Sequence, residues 1–442
     1  MLDIKFIREN KEELKNAIKN KGIDLDLGEL LKIDHERVKL LQEIEALKAK
    51  KNELNEEIKK AGNDGERKEI IEKGKKVKKG LEEIEPQFKE INQKYENLMI
   101  KVPTIPSHDT PIGKNGDDNK EVYRWGEQKK FNFTPKDYTQ LGEDLDIIDL
   151  EKGAKVAGYR GYYLKNEGML LVIAMMMYVI HKMVEKGYKP FLPPTLVKGF
   201  SLFGSGYFKG LEYDPEVDEI YQIASSDREA TGETSKERKF LVGTAEPSLL
   251  AYYSDEVLKE EQLPIKVFGF GQCYRSEIGS YGKDTKGMYR VHEFMKVEQI
   301  VVSKADFEES TKLQKEMVDI AKEIHEELGL PYRVIQICTG DMAPGKYRAF
   351  DIEAWMPASQ RWAETGSASN FADWQARRLN IKYVDKNGEK KFAHLLNDTV
   401  LPSVRPFLAI LENYQQKDGS VVVPEVLRKY MPNGVKEIRP KK

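Results

Sequence analysis

Hydrophobic residues recur at alternating four- and three-residue spacing in two stretches near the start of the chain. This spacing puts them on one face of a helix, and such a face needs a partner helix to bury it. Residues 61–65, between the two stretches, have the composition of a turn. The pattern predicts two long helices paired in an antiparallel α-helical coiled-coil hairpin. The apolar positions are Leu40, Ile44, Leu47, Leu54 and Ile58 in the first helix, and Val77, Leu81, Ile84, Phe88, Ile91, Tyr95 and Leu98 in the second.

The hydrophobic pattern changes after the second helix. Pro103, Pro106 and Pro111 end helix formation there. Pro86 lies where the apolar spacing continues, so we expect the helix to pass through it with a local bend. Strand-like and helical stretches then alternate, which predicts an α+β domain built on an antiparallel sheet. We therefore predict a helical hairpin over residues 1–105 and a larger α+β domain over residues 106–442.

The larger domain contains two predicted strands that carry reactive side chains. Residues 266–277 and 289–302 are rich in aromatic and β-branched residues, and a glycine- and charge-rich loop joins them. Arg275 has a guanidinium that can clamp a phosphate and a carboxylate together, and Phe294 has a ring that can stack on a purine. The set has no obvious nucleophile or base, which suits a reaction driven by positioning and charge neutralisation. A surface hairpin with ordinary ion pairs explains the same residues, and the pattern alone leaves both interpretations open.

Charge adds one candidate surface. The chain has 72 basic and 74 acidic side chains and a formal net charge of -2, so a nucleic-acid partner has to be sought in the local distribution of charge. A run of lysines on a helix is most often a solvated face, but on a projecting hairpin it also fits phosphate contacts. The lysines, all near the tip side of the second helix, are Lys73, Lys75, Lys76, Lys78 and Lys79.

Cysteine usage and apolar runs indicate the compartment. Cys273 and Cys338 are far apart and in no metal-binding spacing, which argues against a disulfide framework or a zinc site and favours a reducing compartment. The charged start of the chain lacks the apolar stretch of a secretory signal. The longest apolar run, residues 169–179, is shorter than a membrane span. We predict a cytoplasmic protein that requires no membrane and no zinc.

Five segments, in matching order and spacing, resemble the class II aminoacyl-tRNA synthetases in the form found in the seryl-tRNA synthetase family. Residues 273–298 resemble motif 2 of that class, residues 187–198 resemble motif 1, and residues 241–253 resemble the family's Thr-x-Glu loop. Residues 364–383 and 407–431 are similar to its ATP and magnesium strand and to its closing helix and tail. The hairpin also matches, so the resemblance covers nearly the whole chain.

The resemblance implies a fold and an activity. The fold is an antiparallel sheet flanked by helices, preceded by the coiled-coil hairpin, which holds tRNA. The activity is the ATP-dependent conversion of L-serine to seryl-adenylate, followed by transfer of serine to the 3′ end of tRNA(Ser), with tRNA(Sec) left open as a second acceptor. Motif 1 implies a homodimer, and adenylation implies Mg2+ as the cofactor of ATP.

An ATP site with two catalytic arginines is implied as well. Arg275 matches the motif 2 arginine that contacts the α-phosphate and the amino-acid carboxylate, and Arg405 matches the motif 3 arginine expected at the γ-phosphate. Glu364 and Ser367 match the oxygen ligands that hold magnesium on the phosphates. The implied ATP-binding set is Arg275, Glu277, Arg290, Val291, His292, Phe294, Glu364, Ser367 and Arg405.

The same resemblance implies a serine pocket. Glu298 matches the carboxylate that takes the α-ammonium group, and Glu246 matches the acceptor of the serine hydroxyl. A pocket built to bond a hydroxyl rejects alanine strongly, because its own groups are then left unpaired. The implied serine-binding set is Thr244, Glu246, Arg275, Glu298, Asn397 and Thr399.

The chain departs from the family at motif 3. The family has Asn-Gly-Ser/Thr-Gly-Leu-Ala-x-Gly-Arg, whereas here Asp398, Val400 and Val404 stand at the three glycine positions. Glycine permits positive φ and close approach of a ligand, and β-branched residues are poor at positive φ. We therefore expect an altered ATP wall and a shifted helix start. The departure motivates one alternative, a catalytically impaired relative that still binds tRNA; the hairpin argues against another, an amino acid:carrier-protein ligase.

Overall fold

The structure, a computed structural model, describes residues 2–224, 227–228, 231–278 and 287–440. It divides into two compact units, Leu2–Pro103 and Thr104–Lys442. Most of the predicted loop between the two site strands, residues 279–286, lies outside the described residues. The smaller unit is helical, and all the described strands belong to the larger one.

The smaller unit contains the predicted helical hairpin. Its two long helices have 34 and 36 residues and are joined by a short turn. The turn is shorter than predicted, because the side chain of Asn63 accepts from the backbone N–H of Glu66 and caps a helix that already begins at Asp64. The second long helix continues through Pro86, as predicted. The helices are α1 Ile4–Glu9, α2 Lys11–Asn20, α3 Leu27–Lys60 and α4 Asp64–Met99.

An apolar seam and a buried carboxylate hold this unit together. The seam lies between α3 and α4, as the spacing predicts, and is stabilised by removal of its side chains from water. Away from the seam, Asp34 is only 1% exposed and pairs with Arg8 and, over 3.1 Å, with Arg37. The guanidinium of Arg37 also lies 4.2 Å from the ring centroid of Tyr95, which links α3 to α4. The clustered seam residues are Leu40, Ile44, Leu47, Val77, Leu81, Ile84 and Phe88.

The larger unit is an α+β domain, which confirms the predicted fold class. Its helices are α5 Tyr138–Asp144, α6 Leu150–Ala157, α7 Asn166–Glu185, α8 Gly199–Ser205, α9 Glu246–Ala251, α10 Phe307–Glu327, α11 Trp374–Leu379 and α12 Val404–Tyr414. Its strands are β1 Lys120–Trp125, β2 Ile148–Asp149, β3 Tyr163–Leu164, β4 Lys189–Phe191, β5 Leu196–Lys198, β6 Tyr221–Gln222, β7 Lys239–Leu241, β8 Val257–Lys259, β9 Ile265–Tyr274, β10 Glu293–Ser303, β11 Tyr332–Gln336, β12 Arg348–Met356, β13 Arg361–Asn370, β14 Lys382–Val384, β15 Lys390–Phe392, β16 His394–Pro402, β17 Val421–Val422 and β18 Glu437–Ile438.

An eight-stranded sheet in the order β1-β11-β12-β13-β16-β10-β9-β4 forms the centre of the larger unit. Its neighbouring strands are antiparallel except for β4 and β9, which are parallel. Because β10 lies between β9 and β16, and β13 lies on the other side of β16, three distant parts of the chain meet side by side. This arrangement places the segments that resemble motifs 2 and 3 on adjacent strands.

Helices α7, α10 and α12 share one hydrophobic core with strands of this sheet. Among the described residues, α7 is the one helix with the length and apolar composition of a membrane span, and 56% of that stretch is buried. Met175, Val179 and Met183 of α7 are fully buried. Packing in the core thus accounts for much of its apolar composition.

Candidate active site

A cleft opens where the ends of β9 and β10 meet β13, β16 and the start of α12. It gathers residues that are far apart in the sequence, because the strands that carry them are neighbours in the sheet. Its polar lining is mostly charged, with both arginines and carboxylates present. The site residues predicted from the sequence that line it are Arg275, Glu277, Arg290, Val291, Phe294, Glu364, Thr399 and Arg405.

Arg275 lies directly after the end of β9. The second site strand begins later than predicted: the chain turns and bends over residues 287–292, and β10 begins at Glu293. The backbone N–H of Arg275 donates to the carbonyl of His292 over 2.9 Å, and Nδ1 of His292 donates back to the Arg275 carbonyl over 2.8 Å. The guanidinium lies 5.4 Å from the ring centroid of Phe294 and forms no ion pair with any described residue. Its charge is therefore available to an anionic ligand, whereas His292 does not line the cleft.

Glu277 is held by two arginines at one end of the cleft. Its Oε2 lies 2.7 Å from Arg290 and 3.7 Å from Arg160, and Glu277 is only 8% exposed. Its backbone has φ 56°, a left-handed conformation that is uncommon for residues other than glycine and is typical of functional sites. Arg160 was not predicted from the sequence, since it lies in the loop after α6 and has no pattern around it that points to the cleft.

Arg405 is fixed by contacts to β13 and to the segment before β10. Its Nη1 donates to the Glu364 backbone carbonyl over 3.0 Å and to Glu364 Oε2 over 3.1 Å. Its Nε donates to the Tyr289 carbonyl over 3.4 Å, and the guanidinium lies 4.7 Å from the Tyr289 ring centroid. Desolvation opposes ionisation of Glu364, but the charges of Arg405 and Arg275 outweigh it and lower the pKa of this carboxyl. Glu364 is thus ionised at neutral pH and sits between two arginines.

A β-bulge brings Glu364 and Ser367 to the same face of the sheet. The partners of Glu353 and Ile352 on β12 are Glu364 and Gly366, so one residue of β13, Thr365, is left over and the alternation of faces shifts. Without the bulge, residues three apart on a strand point to opposite faces. Ser367 lies opposite Asp351 of β12, a carboxylate that the sequence did not single out.

This face offers oxygen ligands of the kind that Mg2+ takes. Among the described residues, however, no group of at least three His, Cys, Asp or Glu side chains is placed to hold a metal ion by itself. Mg2+ is commonly bound by one or two carboxylates together with phosphate oxygens of a nucleotide. The oxygen atoms of Glu364 and Ser367 therefore fit a magnesium ion that phosphate oxygens help to hold.

A compact triangle of polar side chains lies beside the cleft. Lys296 Nζ lies 2.6 Å from Oε2 of Glu298 and donates to Thr399 Oγ1 over 3.0 Å, and Thr399 donates to the same Glu298 oxygen over 3.0 Å. Lys296 and Glu298 are 4% and 2% exposed. The register pairs Glu298 directly with Thr399, which explains why both face the same side. Lys296 lines the cleft but was missed; its place two residues from both Phe294 and Glu298 was the available signal.

Glu246 begins α9 and is almost completely buried. Its Oε1 accepts from Gln375 over 2.6 Å and from Asn397 over 2.7 Å, and its Oε2 accepts from the hydroxyl of Tyr207 over 2.9 Å. Burial, with a smaller contribution from the nearby charge of Glu298, raises the pKa of Glu246 to about 7.

The surroundings of Glu246 were only partly predictable. Thr244 is 1% exposed and accepts from the Glu246 backbone N–H over 3.4 Å. Tyr207 and Gln375 were missed, because Tyr207 follows the end of α8, Gln375 lies in α11, and nothing local in the sequence ties them to Glu246.

The stretch without glycines, residues 397–406, has ordinary backbone angles. None of residues 397–406 has positive φ, so the backbone needs no glycine there. Asp398 pairs with Gln299 on the face opposite Glu298, and Val400 is an extra residue at a register shift whose side chain is buried in the core. The strand runs to Pro402 and α12 begins at Val404, which lines the cleft. The side chains that replace glycine at residues 398 and 400 therefore point away from the cleft.

The lysine cluster belongs to the smaller unit, on α4, and its side chains are exposed. Four of its members pair within their own helix with glutamates three or four residues away. Exposed pairs of this kind contribute only about 0–1 kcal/mol, so they do not prevent the lysines from binding phosphates. The four are Lys73, Lys75, Lys78 and Lys79.

Comparison with known proteins agrees with this architecture. Residues 1–106 match the family model of the seryl-tRNA synthetase N-terminal domain, and residues 229–414 match that of the tRNA synthetase class II core domain (G, H, P, S and T). The chain is 40% identical to the serine–tRNA ligase of Treponema denticola, over 97% of this chain and 98% of that protein.

Solved structures are similar over the whole length. The seryl-tRNA synthetase of Pyrococcus horikoshii complexed with ATP has a TM-score of 0.87 and 36% identity, covering 100% of both chains. The cytoplasmic serine–tRNA ligase of Naegleria fowleri in complex with AMP has a TM-score of 0.84 and 27% identity, covering 100% of this chain and 99% of that one.

The antiparallel sheet and its arginine-lined cleft, with the matching core domain, define the class II aminoacyl-tRNA synthetases. Within that class the helical hairpin and the full-length identity to serine–tRNA ligases are decisive. The chain belongs to the seryl-tRNA synthetase family.

Proposed function

We propose that the protein activates L-serine with ATP and transfers the serine to the 3′ end of tRNA(Ser). The observation that carries the proposal is the cleft in which Arg275, Glu364 and Arg405 converge beside the Glu298–Thr399 pair. This arrangement puts groups suited to a triphosphate next to groups suited to a small amino acid. It contains no nucleophile that has to be activated, so catalysis rests on alignment and charge neutralisation.

In the proposed adenylation step, Arg275 neutralises the charge that builds on the α-phosphate while it aligns the serine carboxylate for attack. Its freedom from ion pairs with described residues leaves the guanidinium available for this bidentate contact. Phe294 stacks on adenine, and Glu277, held by Arg290 over 2.7 Å, offers a carboxylate on the same side. Arg405 meets the γ-phosphate. Glu364 and Ser367 would hold a magnesium ion, which would neutralise part of the charge on the phosphates.

In the proposed serine pocket, Glu298 takes the α-ammonium group and Thr399 holds the Glu298 carboxylate in place over 3.0 Å. Glu246 and Asn397 are linked to each other over 2.7 Å and bind the serine hydroxyl, with Thr244 behind them. Alanine lacks the hydroxyl and leaves Glu246 with an unused acceptor in a buried site, which costs it affinity.

Serine-dependent exchange of pyrophosphate into ATP tests the activation step directly. We expect exchange with L-serine and Mg2+, and none above background with L-alanine at equal concentration. Absence of serine-dependent exchange would favour the alternative, a catalytically impaired relative. Aminoacylation of tRNA(Ser), with tRNA(Sec) as a second acceptor, tests the transfer step.

We propose that the helical hairpin is the tRNA-binding arm and that the larger unit is the catalytic domain. The hairpin forms a compact unit separate from the cleft, and its lysine cluster is exposed and able to contact phosphates. Removal of residues 31–99 is expected to abolish aminoacylation and to leave pyrophosphate exchange largely intact. Equal loss of both activities would contradict this division of labour.

We also propose a cytoplasmic homodimer. Exposed apolar side chains recur along one face of α7, where exposed residues of a single chain are expected to be polar. Sedimentation as a dimer at micromolar concentration is the expected result, and a monomer would count against the proposal. The apolar side chains are Met169, Ile173, Met177 and Val184, which are 47%, 37%, 40% and 50% exposed.

A further inference from the structure

Helices α8 and α11 approach each other unusually closely at two glycines. A Cβ added to Gly204 would lie 2.2 Å from the side chain of Leu379, and one added to Gly206 would lie 2.8 Å from the ring of Trp374. Gly206 also ends α8 in a left-handed conformation, with φ 94°. The end of α8 therefore packs directly against both ends of the short helix α11.

Two side chains from this contact meet at Glu246. Gln375 of α11 donates to the Ser205 carbonyl over 3.0 Å and to Glu246 Oε1 over 2.6 Å, so it ties the end of α8 to the carboxylate. Tyr207, the next residue after Gly206, donates its hydroxyl to Glu246 Oε2 over 2.9 Å. Burial raises the pKa of Tyr207, so its hydroxyl keeps its proton and acts as a donor at neutral pH.

The acceptor positions of Glu246 can be counted. A carboxylate has about four lone-pair positions, two on each oxygen. Gln375 and Asn397 occupy those of Oε1, and Tyr207 occupies one of those of Oε2. One position on Oε2 remains. The three donors that contact this carboxylate among the described residues therefore leave one acceptor position for one further donor, which a hydroxyl can supply.

We propose that Tyr207 and Gln375 are positioning residues that make this pocket selective for serine. Their hydrogen bonds occupy acceptor positions of the Glu246 carboxylate, so that a single position is left for the hydroxyl of the substrate. The inference rests on the proposed function, in which Glu246 binds that hydroxyl. In this proposal the contact between α8 and α11 orients Glu246. That contact lies outside the segments that resemble motifs 2 and 3. Tyr207 acts through Glu246 and need not touch the serine itself.

The variant Tyr207→Phe removes the hydroxyl alone and tests the proposal. Hydrogen bonds to charged groups contribute roughly 1.5–3 kcal/mol, so we expect the KM for serine in pyrophosphate exchange to rise about tenfold or more. The hydrogen bond from Tyr207 to Glu246 is present before and during the reaction. Therefore kcat and the KM for ATP should stay within about twofold of the values of the unmodified protein. Inhibition by L-alanine, which has no hydroxyl, should be unchanged.

Tyr213→Phe is the matched control. Tyr213 also donates its hydroxyl in this region, to the Ile220 carbonyl over 2.8 Å, but it does not contact Glu246. It lies in the same hydrophobic cluster as Phe208, the residue after Tyr207. We expect this variant to keep the KM for serine of the unmodified protein. Thermal unfolding of both variants shows whether each retains the fold.

The pH dependence separates positioning from a merely structural role. The hydroxyl of Tyr207 favours the ionised form of Glu246, so its loss should raise the apparent pKa in the profile of kcat/KM for serine. Unchanged KM and pH profile in Tyr207→Phe, or an equal rise of KM in Tyr213→Phe, would overturn the inference. If the unmodified protein shows no serine-dependent exchange, the proposed function itself fails, and the inference with it.

Discussion

The side-chain amide of Gln299 donates to Asp398 Oδ2 over 2.6 Å, on the face of the sheet opposite Glu298 and Thr399. Both members of this pair are fully buried. Burial, followed by the charge of Glu298, raises the pKa of Asp398 well above its usual range, so the fold favours the protonated acid. Gln299 Oε1 and Asp398 Oδ1 are buried and have no hydrogen-bond partner among the described residues. Protonation of Asp398 removes the charge that a buried carboxylate would otherwise carry there.

Asparagine should replace Asp398 with little loss, because its amide offers the same donor and acceptor as the neutral acid. We expect Asp398→Asn to change the free energy of unfolding by less than about 1 kcal/mol below about pH 3.9, where the aspartate is protonated in both the folded and the unfolded chain. Asp398→Ala should cost about 1–3 kcal/mol, because it leaves the buried Gln299 amide unpaired. Urea unfolding measures both, and equal losses in the two variants would contradict a paired neutral acid.

The same pair predicts a pH dependence of stability. The pKa of Asp398 is higher in the folded state than in the unfolded chain, so the folded protein holds a proton that the unfolded chain releases. The contribution is fully present below the ordinary aspartate pKa of about 3.9, and it is lost as pH rises towards the folded value. Asp398→Asn should therefore flatten the fall in unfolding free energy above about pH 4.

Glu364→Gln should impair the use of magnesium. The variant keeps the size of the side chain but removes the charge that Arg405 and Arg275 stabilise. We expect pyrophosphate exchange to fall about 10²-fold or more, and the Mg2+ concentration for half-maximal rate to rise. Glu353→Gln is the matched control, since Glu353 is the cross-strand neighbour of Glu364 but pairs with Arg333 over 2.6 Å. A similar fall in both variants would argue against a role for Glu364 in particular.

Charge reversal of the lysine cluster should weaken tRNA binding. Replacing Lys73, Lys75, Lys76, Lys78 and Lys79 by glutamate removes candidate phosphate contacts. We expect a higher KM for tRNA(Ser) and a shallower dependence of binding on salt, with pyrophosphate exchange unaffected. The control reverses Lys48, Lys50, Lys51, Lys59 and Lys60 of α3. If both sets weaken tRNA binding equally, the cluster on α4 has no special role.

Gly204, at the contact between α8 and α11, should not tolerate a methyl group. In Gly204→Ala the new Cβ would clash with Leu379 at 2.2 Å, which should cost about 1–3 kcal/mol of unfolding free energy. Gly74→Ala in α4 is the control, because nothing lies within 4 Å of its Cβ and alanine favours a helix by about 0.5–1 kcal/mol. A shift of the thermal unfolding temperature in the same direction for both variants would contradict the close packing.

Elements with a strong local period were predictable from the sequence. The apolar spacing of the hairpin repeats many times along both helices, and such a seam needs a partner helix to bury it. The pairing of α3 with α4 was therefore predicted. Only their turn was misplaced, since the cap at Asn63 starts α4 earlier than composition suggests. Alternation along a strand also linked Phe294 to Glu298. The start of β10 was misplaced, because residues 289–292 have a strand-like composition but lie outside the strand.

Contacts between distant segments were decided only by the tertiary structure. The meeting of Tyr207, Gln375 and Asn397 on one carboxylate depends on the contact between α8 and α11, which no local pattern encodes. From the sequence, the loss of the glycines was expected to alter the ATP wall. Whether a side chain at residue 398 meets the ligand, however, depends on which face of β16 it occupies. Strand register and a bulge set that face, and both are properties of the paired strands rather than of either strand alone.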